Sequence, residues 1–134
     1  MPPFLDLPEN CRLNQPDIDL QHSILFALIN AVETNNSIEL EVVFKSLVEY
    51  VDVHFSYEEK TMLPESYGFY HQHLAQHRMF EKKVSEMRSR LTSGDQAQEV
   101  LRQELRLFLH DWLVDHINGI DRQLFATASN YRKP

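Results

Sequence analysis

Residues 40–62, LEVVFKSLVEYVDVHFSYEEKTM, place Leu40, Phe44, Leu47, Val51, His54, Glu58 and Met62 at steps of three and four. Side chains so spaced share one face of an α-helix. The stripe is apolar as far as Val51 and then turns polar. His54 and Glu58, four residues apart, lie one above the other on the face that should be buried. Asn36 with Glu39 forms a capping pair at the start of this helix, and Pro64 just past its end blocks continuation.

The same rhythm recurs on either side. Ile18, His22, Leu25, Ile29 and Val32 form a stripe before it. Tyr70, His73, His77, Phe80, Val84, Met87 and Leu91 form one after it, with Gly94 placed to end that helix. A fourth helix, starting near Asp95, carries Leu101, Leu105, Leu109, Trp112 and His116, and a short helical tail runs on through Phe125. Glycine is confined to Gly68, Gly94 and Gly119, as in a helical protein with few connections. No segment alternates as a strand does. The expected fold is all-α, an antiparallel up-down four-helix bundle over residues 17–134. Residues 1–16, with Pro2, Pro3, Pro8 and Pro16, read as an extended N-terminal arm.

At 134 residues the chain suits one domain with one core. A net charge of -7 repels phosphate backbones and disfavours nucleic acid as a partner. Cys11 is the only cysteine, which precludes an intrachain disulfide and fits a reducing compartment. Met1 to Asp6 hold no basic segment and no apolar run, so they do not read as a signal peptide. The most apolar window, Ile24 to Val32, is too short to span a bilayer. These features lead to the expectation of a soluble, cytoplasmic protein.

The chemistry lies where the stripes stop being apolar. His22, His54, His73, His77 and His116 all fall on inward faces, and Glu58 joins them. Burying these groups without partners costs on the order of several kcal/mol. A metal ion is the common partner of imidazoles and carboxylates that meet. His54 to Glu58 and His73 to His77 are both i to i+4 steps, so each pair can chelate from one helix face. His116 and Asp121 are i to i+5, about 140° apart on a regular helix. They converge only if the helix is distorted between them, by a break or π-type turn around Gly119.

Each residue also has a plainer explanation. A single histidine on an apolar face is more often a packed core residue, and for His22 alone that explanation is preferred. A lone His-x3-Glu or His-x3-His pair arises by chance in many helices, and Asp121 alone could be a surface carboxylate. The set of five inward histidines spread over four helices is what favours a metal centre. His71 and His110 lie off these stripes and read as surface or packing residues.

The run Ile18-Asp19-x-Gln21-His22, then His54-Phe55-x-x-Glu58-Glu59, then His73-x3-His77, then Trp112-Leu113-x-x-His116-Ile117-x3-Asp121 resembles the hemerythrin family, in its bacterial form. The resemblance runs from about Asp17 to Phe125. It implies that His73, His77 and His116 bind one iron and that His22 and His54 bind the other. Glu58 and Asp121 would bridge the two irons together with an oxo or hydroxo group. A count of octahedral positions then leaves one open, on the iron with two histidines. The family binds molecular oxygen there. By the same resemblance Leu25, Phe55, Trp112, Leu113 and Ile117 line the oxygen pocket, although plain core packing would also account for them. Asp19, one turn before His22, is read as a helix-start charge in preference to an acceptor for a ligand. Bacterial members commonly carry a tryptophan in the arm; here the arm has Phe4 and Leu5.

The function implied is reversible oxygen binding for carriage, storage or delivery, without catalysis. The alternative is a sensor of oxygen, nitric oxide or redox state that signals through a partner or a fused domain. Sensors of this family usually carry such a domain, and a chain ending at Pro134 favours the carrier. A di-iron oxidase would be expected to show paired Glu-x-x-His steps, which are missing here. A metal-free helical interaction module would leave the inward histidines without a rationale.

Overall fold

The computed structural model describes residues 7–34, 39–94 and 98–132. Phe4, Leu5, Asn36 and Asp95 lie outside the described residues. Four long helices dominate: α1 Pro16–Thr34, α2 Leu40–Thr61, α3 Tyr70–Ser93 and α4 Gln98–His116. Helix α1 packs on α2 and α4, and α3 packs on the same two. Consecutive helices are therefore neighbours, joined by short connections, which is the up-down arrangement of a four-helix bundle. Among the described residues, no helix is long and apolar enough to cross a membrane.

The ends of the helices follow from local chemistry. Pro16 opens α1, where its missing N–H costs nothing. Glu39 occupies the position before α2 in extended backbone, and its side chain makes no capping bond. Gly94 closes α3 in a left-handed conformation with φ of 71°, which a side chain would strain. Met62 leaves the helical conformation at the end of α2, and Pro64 follows.

All four stripes face one another and divide the bundle lengthwise. One end is apolar, built from Val32, Leu40, Phe44, Val84, Met87, Leu101 and Leu105, all buried. Burying each such large side chain contributes about 1.5–3 kcal/mol relative to exposure. The inward histidines sit at the other end, where α1 and α3 begin and where α2 and α4 finish. A second small cluster of Met62, Tyr67, Leu124 and Tyr131 closes the bundle beyond them. It is tied to the end of α2 by an antiparallel bridge between Met62 and Tyr131. The Arg132 N–H also donates to the Thr61 carbonyl at 2.7 Å.

In the described part of the arm, residues 7–15, the chain makes one 3-10 turn, Glu9–Cys11, and Asn14 takes a left-handed conformation with φ of 60°. Leu7 and Cys11 enter the main core. Asp19, read as a helix-start charge, also has a second role. It lies in the first turn of α1 but is only 3% exposed. Its carboxylate accepts the Leu13 N–H at 2.9 Å and the Asn14 N–H at 3.1 Å. Two otherwise unpaired backbone donors are satisfied in this way, and the arm is held against α1.

After His116 the chain makes a π turn, Ile117–Asp121, followed by one helical turn, Arg122–Leu124. The Arg122 N–H reaches back five residues to the Ile117 carbonyl. That extra residue in the turn brings Asp121 round to the face of His116, the distortion that their spacing requires. Space alone does not require glycine at position 119: a Cβ there would meet nothing within 4 Å.

Candidate metal centre

His22, His54, Glu58, His73, His77, His116 and Asp121 are all buried, and their side chains meet at one end of the bundle. They form two overlapping groups whose ligand atoms lie within 4.8 Å of one another. One is Glu58 with His73, His77 and His116; the other is His22, His54, Glu58 and Asp121.

The two carboxylates divide their oxygens between the groups. Glu58 Oε1 lies 3.0 Å from His77 Nε2 and 3.4 Å from His73 Nε2. Its Oε2 faces the other way, 3.6 Å from His54 Nε2 and 3.8 Å from His22 Nε2. Asp121 Oδ1 is 2.9 Å from His73 Nε2 and 3.2 Å from His116 Nε2, while Oδ2 is 3.1 Å from His22 Nε2. Each acid thus presents one oxygen to a three-histidine cluster and one to a two-histidine cluster.

Most of these inward atoms make no hydrogen bond. His22 Nε2, His73 Nε2, His116 Nε2, Glu58 Oε2 and both Asp121 oxygens are close to their neighbours but not aligned with them. Buried carboxylates and imidazoles left in this way are costly unless a cation takes their lone pairs. The mixture of imidazole nitrogen and carboxylate oxygen fits a borderline transition-metal ion such as iron.

The electrostatics without metal point the same way. Burial alone would lower the basicity of His22 and His73, but the Asp121 and Glu58 carboxylates outweigh it and push both up to about 9. Burial wins at His54, which is pushed down to about 4. Burial would raise the pKa of Glu58 and Asp121, yet the ring of imidazoles holds both below the usual carboxylate range. Protons therefore occupy part of the space that a cation would take.

The outer ring nitrogens are clasped in a regular way. Gln21 on α1 lies 2.6 Å from His54 Nδ1 on α2 through its Oε1. Glu59 on α2 holds His77 Nδ1 on α3 at 2.8 Å. Gln76 on α3 holds His116 Nδ1 on α4 at 2.7 Å. In each case a residue beside an inward group on one helix reaches the histidine of the next. His73 is held by Tyr67, whose hydroxyl donates to the Ile120 carbonyl at 3.0 Å and accepts the His73 Nδ1–H at 3.0 Å. An outer nitrogen that carries a proton leaves Nε2 with a lone pair directed inward. His22 Nδ1 alone of the five has no such partner.

The sequence did not single out Gln21, Glu59, Tyr67 or Gln76 for these roles. Three of them directly flank an inward residue, and that adjacency is the signal that could have found them. His71 and His110 are exposed and lie apart from the centre.

Beside the histidines lies an apolar cleft of about 10 Å³. Leu25, Phe55, Trp112 and Leu113 line it, together with Ile29, Leu47, Val51, Phe80 and Leu109. Ile117 is fully buried but is not among these lining residues. Phe55 stacks on His77 with ring centroids 3.8 Å apart, and Trp112 stacks on His116 at 4.3 Å. The aromatic wall of the cleft is thus also the packing that fixes two of the histidine rings.

A family model described as the hemerythrin HHE cation binding domain matches residues 15–128. A bacteriohemerythrin of Stenotrophomonas maltophilia is 34% identical over 109 residues, covering 78% of this chain and 69% of the relative. A bacteriohemerythrin of Methylococcus capsulatus is 28% identical over 108 residues, covering 78% and 80%. A hemerythrin-like protein of Naegleria gruberi is 31% identical over 105 residues, covering 78% and 77%. No solved structure matches the chain significantly. With the match spanning all four helices and the convergent histidines and carboxylates, the chain belongs to the hemerythrin family.

Proposed function

We propose that the chain binds molecular oxygen reversibly at a pair of iron ions, as a carrier, store or deliverer of oxygen and not as an enzyme. His73, His77 and His116 would hold one iron and His22 and His54 the other, with Glu58 and Asp121 bridging them beside an oxo or hydroxo group. The observation that carries this reading is the division of each carboxylate between the two histidine clusters. A single metal would leave one oxygen of each acid facing an unmetallated set of imidazoles.

When bound, such a pair supplies one electron from each ferrous ion and one coordination position for a diatomic ligand. The protein's own part is to position, to exclude water and to govern protons. The outer clasps hold four of the imidazoles with Nε2 directed inward. All nine residues lining the cleft are apolar or aromatic. A dry wall of that kind admits oxygen and keeps out the water and protons that would leave the metal irreversibly oxidised. No lining residue of the cleft offers a general acid or base, which supports binding over turnover. The single cysteine, with no intrachain disulfide possible, agrees with a reducing, cytoplasmic setting.

The test is the near-ultraviolet and visible spectrum of the iron-loaded protein, cycled between deoxygenated and aerated buffer. A spectrum that changes and returns over many cycles is expected. Prompt, irreversible oxidation on the first exposure would overturn the carrier reading.

A further inference from the structure

Among the four outer clasps one differs in kind. Gln21, Gln76 and Tyr67 are neutral groups, whereas the partner of His77 Nδ1 is the carboxylate of Glu59. The arrangement is doubly tied. Consecutive residues of α2 grip both nitrogens of one imidazole, Glu58 at Nε2 and Glu59 at Nδ1. Consecutive residues of α3, His77 and Arg78, both bond the same Glu59 oxygen. Arg78 also reaches Glu81, at 3.4 Å. Glu59 is 25% exposed and Arg78 is 56% exposed, so this path leads from the buried centre to the surface.

We propose that Glu59 is a positioning residue that sets the reduction potential of the iron bound by His77, and that Arg78 moderates it. This inference rests on the di-iron reading above. A carboxylate that accepts an imidazole N–H draws the proton toward itself and gives the ring imidazolate character. Such a ring donates more charge to its metal and favours the ferric over the ferrous state. An amide or phenol oxygen does so to a lesser degree. The guanidinium of Arg78 competes for the same carboxylate oxygen and offsets part of the effect. Its exposure makes that offset sensitive to salt.

The test uses the iron-loaded full chain and a spectroelectrochemical titration of the ferric and ferrous forms. Glu59→Gln keeps an acceptor oxygen of similar size and removes the charge. It is expected to raise the ferrous-to-ferric ratio at a given potential about tenfold, equivalent to about 59 mV for a one-electron step. Gln76→Glu gives His116 the same kind of partner and should move the potential down. Arg78→Gln should move it down by less, with a weaker salt dependence than the parent chain shows. Failure of the parent chain to bind two irons overturns the di-iron reading. An intact parent centre with Glu59→Gln at the unchanged potential overturns the present inference alone. If Glu59→Gln does not hold iron, Gln76→Glu decides: an unchanged or raised potential there also overturns it.

Discussion

Replacing Tyr67 by phenylalanine should weaken iron binding about 10–100-fold while leaving the seven inward residues untouched. Tyr67 is buried, and its hydroxyl proton goes to the Ile120 carbonyl at 3.0 Å. A phenol has a single proton, so toward His73 the oxygen can only accept, again at 3.0 Å. Burial, with the charges of Asp121 and Glu58 added, pushes the Tyr67 pKa up and keeps the phenol protonated. The substitution removes two hydrogen bonds. The Ile120 carbonyl loses the phenol O–H whether or not metal is present, which should cost the metal-free fold about 0.5–1.5 kcal/mol. The His73 imidazole loses the acceptor that fixes its tautomer, and this loss falls on the metal-bound state. The affinity change of 10–100-fold corresponds to about 1.4–2.8 kcal/mol. Urea unfolding of the metal-free protein measures the first effect, and anaerobic competition with an iron(II) chelator measures the second. Tyr50→Phe, at a half-buried tyrosine on the apolar half of α2, serves as the control. If Tyr67→Phe bound iron as tightly as the parent chain, the clasp on His73 would have no role in the site.

Three further outcomes are expected. His22 and His73, pushed up to about 9 from an ordinary 6.5, stabilise the metal-free fold fully below pH 6.5 and lose that contribution as pH rises to 9. Iron must displace those protons, so its affinity should rise over the same window while the metal-free stability falls; chelator competition and unfolding from pH 6.5 to 9 would show the opposite slopes, and a flat affinity would remove these histidines from the ligand set. Leu113→Ala opens the wall of the cleft and should cost roughly 2–5 kcal/mol of stability, keep both irons and speed autoxidation; an unchanged oxidation rate would take Leu113 out of the oxygen path. Gly119→Ala should leave iron content unchanged and stabilise the fold by up to about 1 kcal/mol, since a Cβ there meets nothing within 4 Å; loss of iron would show that the π turn needs glycine.

Much of this molecule can be read from its sequence because two of its signals are periodic. Apolar residues at steps of three and four define each helix, and the same steps carry His22, His54, Glu58, His73, His77 and His116 to the inside. Asp121 is readable only as a mismatch: its five-residue distance from His116 demands an irregular turn, and the structure supplies the π turn. What lies outside the pattern is tertiary in origin. Tyr67 sits in the connection between α2 and α3, between Pro64 and Gly68, where no periodicity marks a residue as buried. Gln21, Glu59 and Gln76 look like ordinary polar flanks, because each partner lies on a neighbouring helix. Asp19 looks like a helix-start charge, and the arm that it holds cannot be located from its own sequence. Pocket residues share the apolar alphabet of the core, so spacing alone does not separate the residues that line the cleft from Ile117, which is buried in the same core but is not among them.

The most direct test is a crystal of the iron-loaded protein with anomalous diffraction recorded at the iron edge. Two peaks are expected, one amid His73, His77 and His116 and one beside His22 and His54, each within bonding distance of Glu58 and Asp121. A single peak, or two peaks that Glu58 and Asp121 do not join, would contradict a bridged pair.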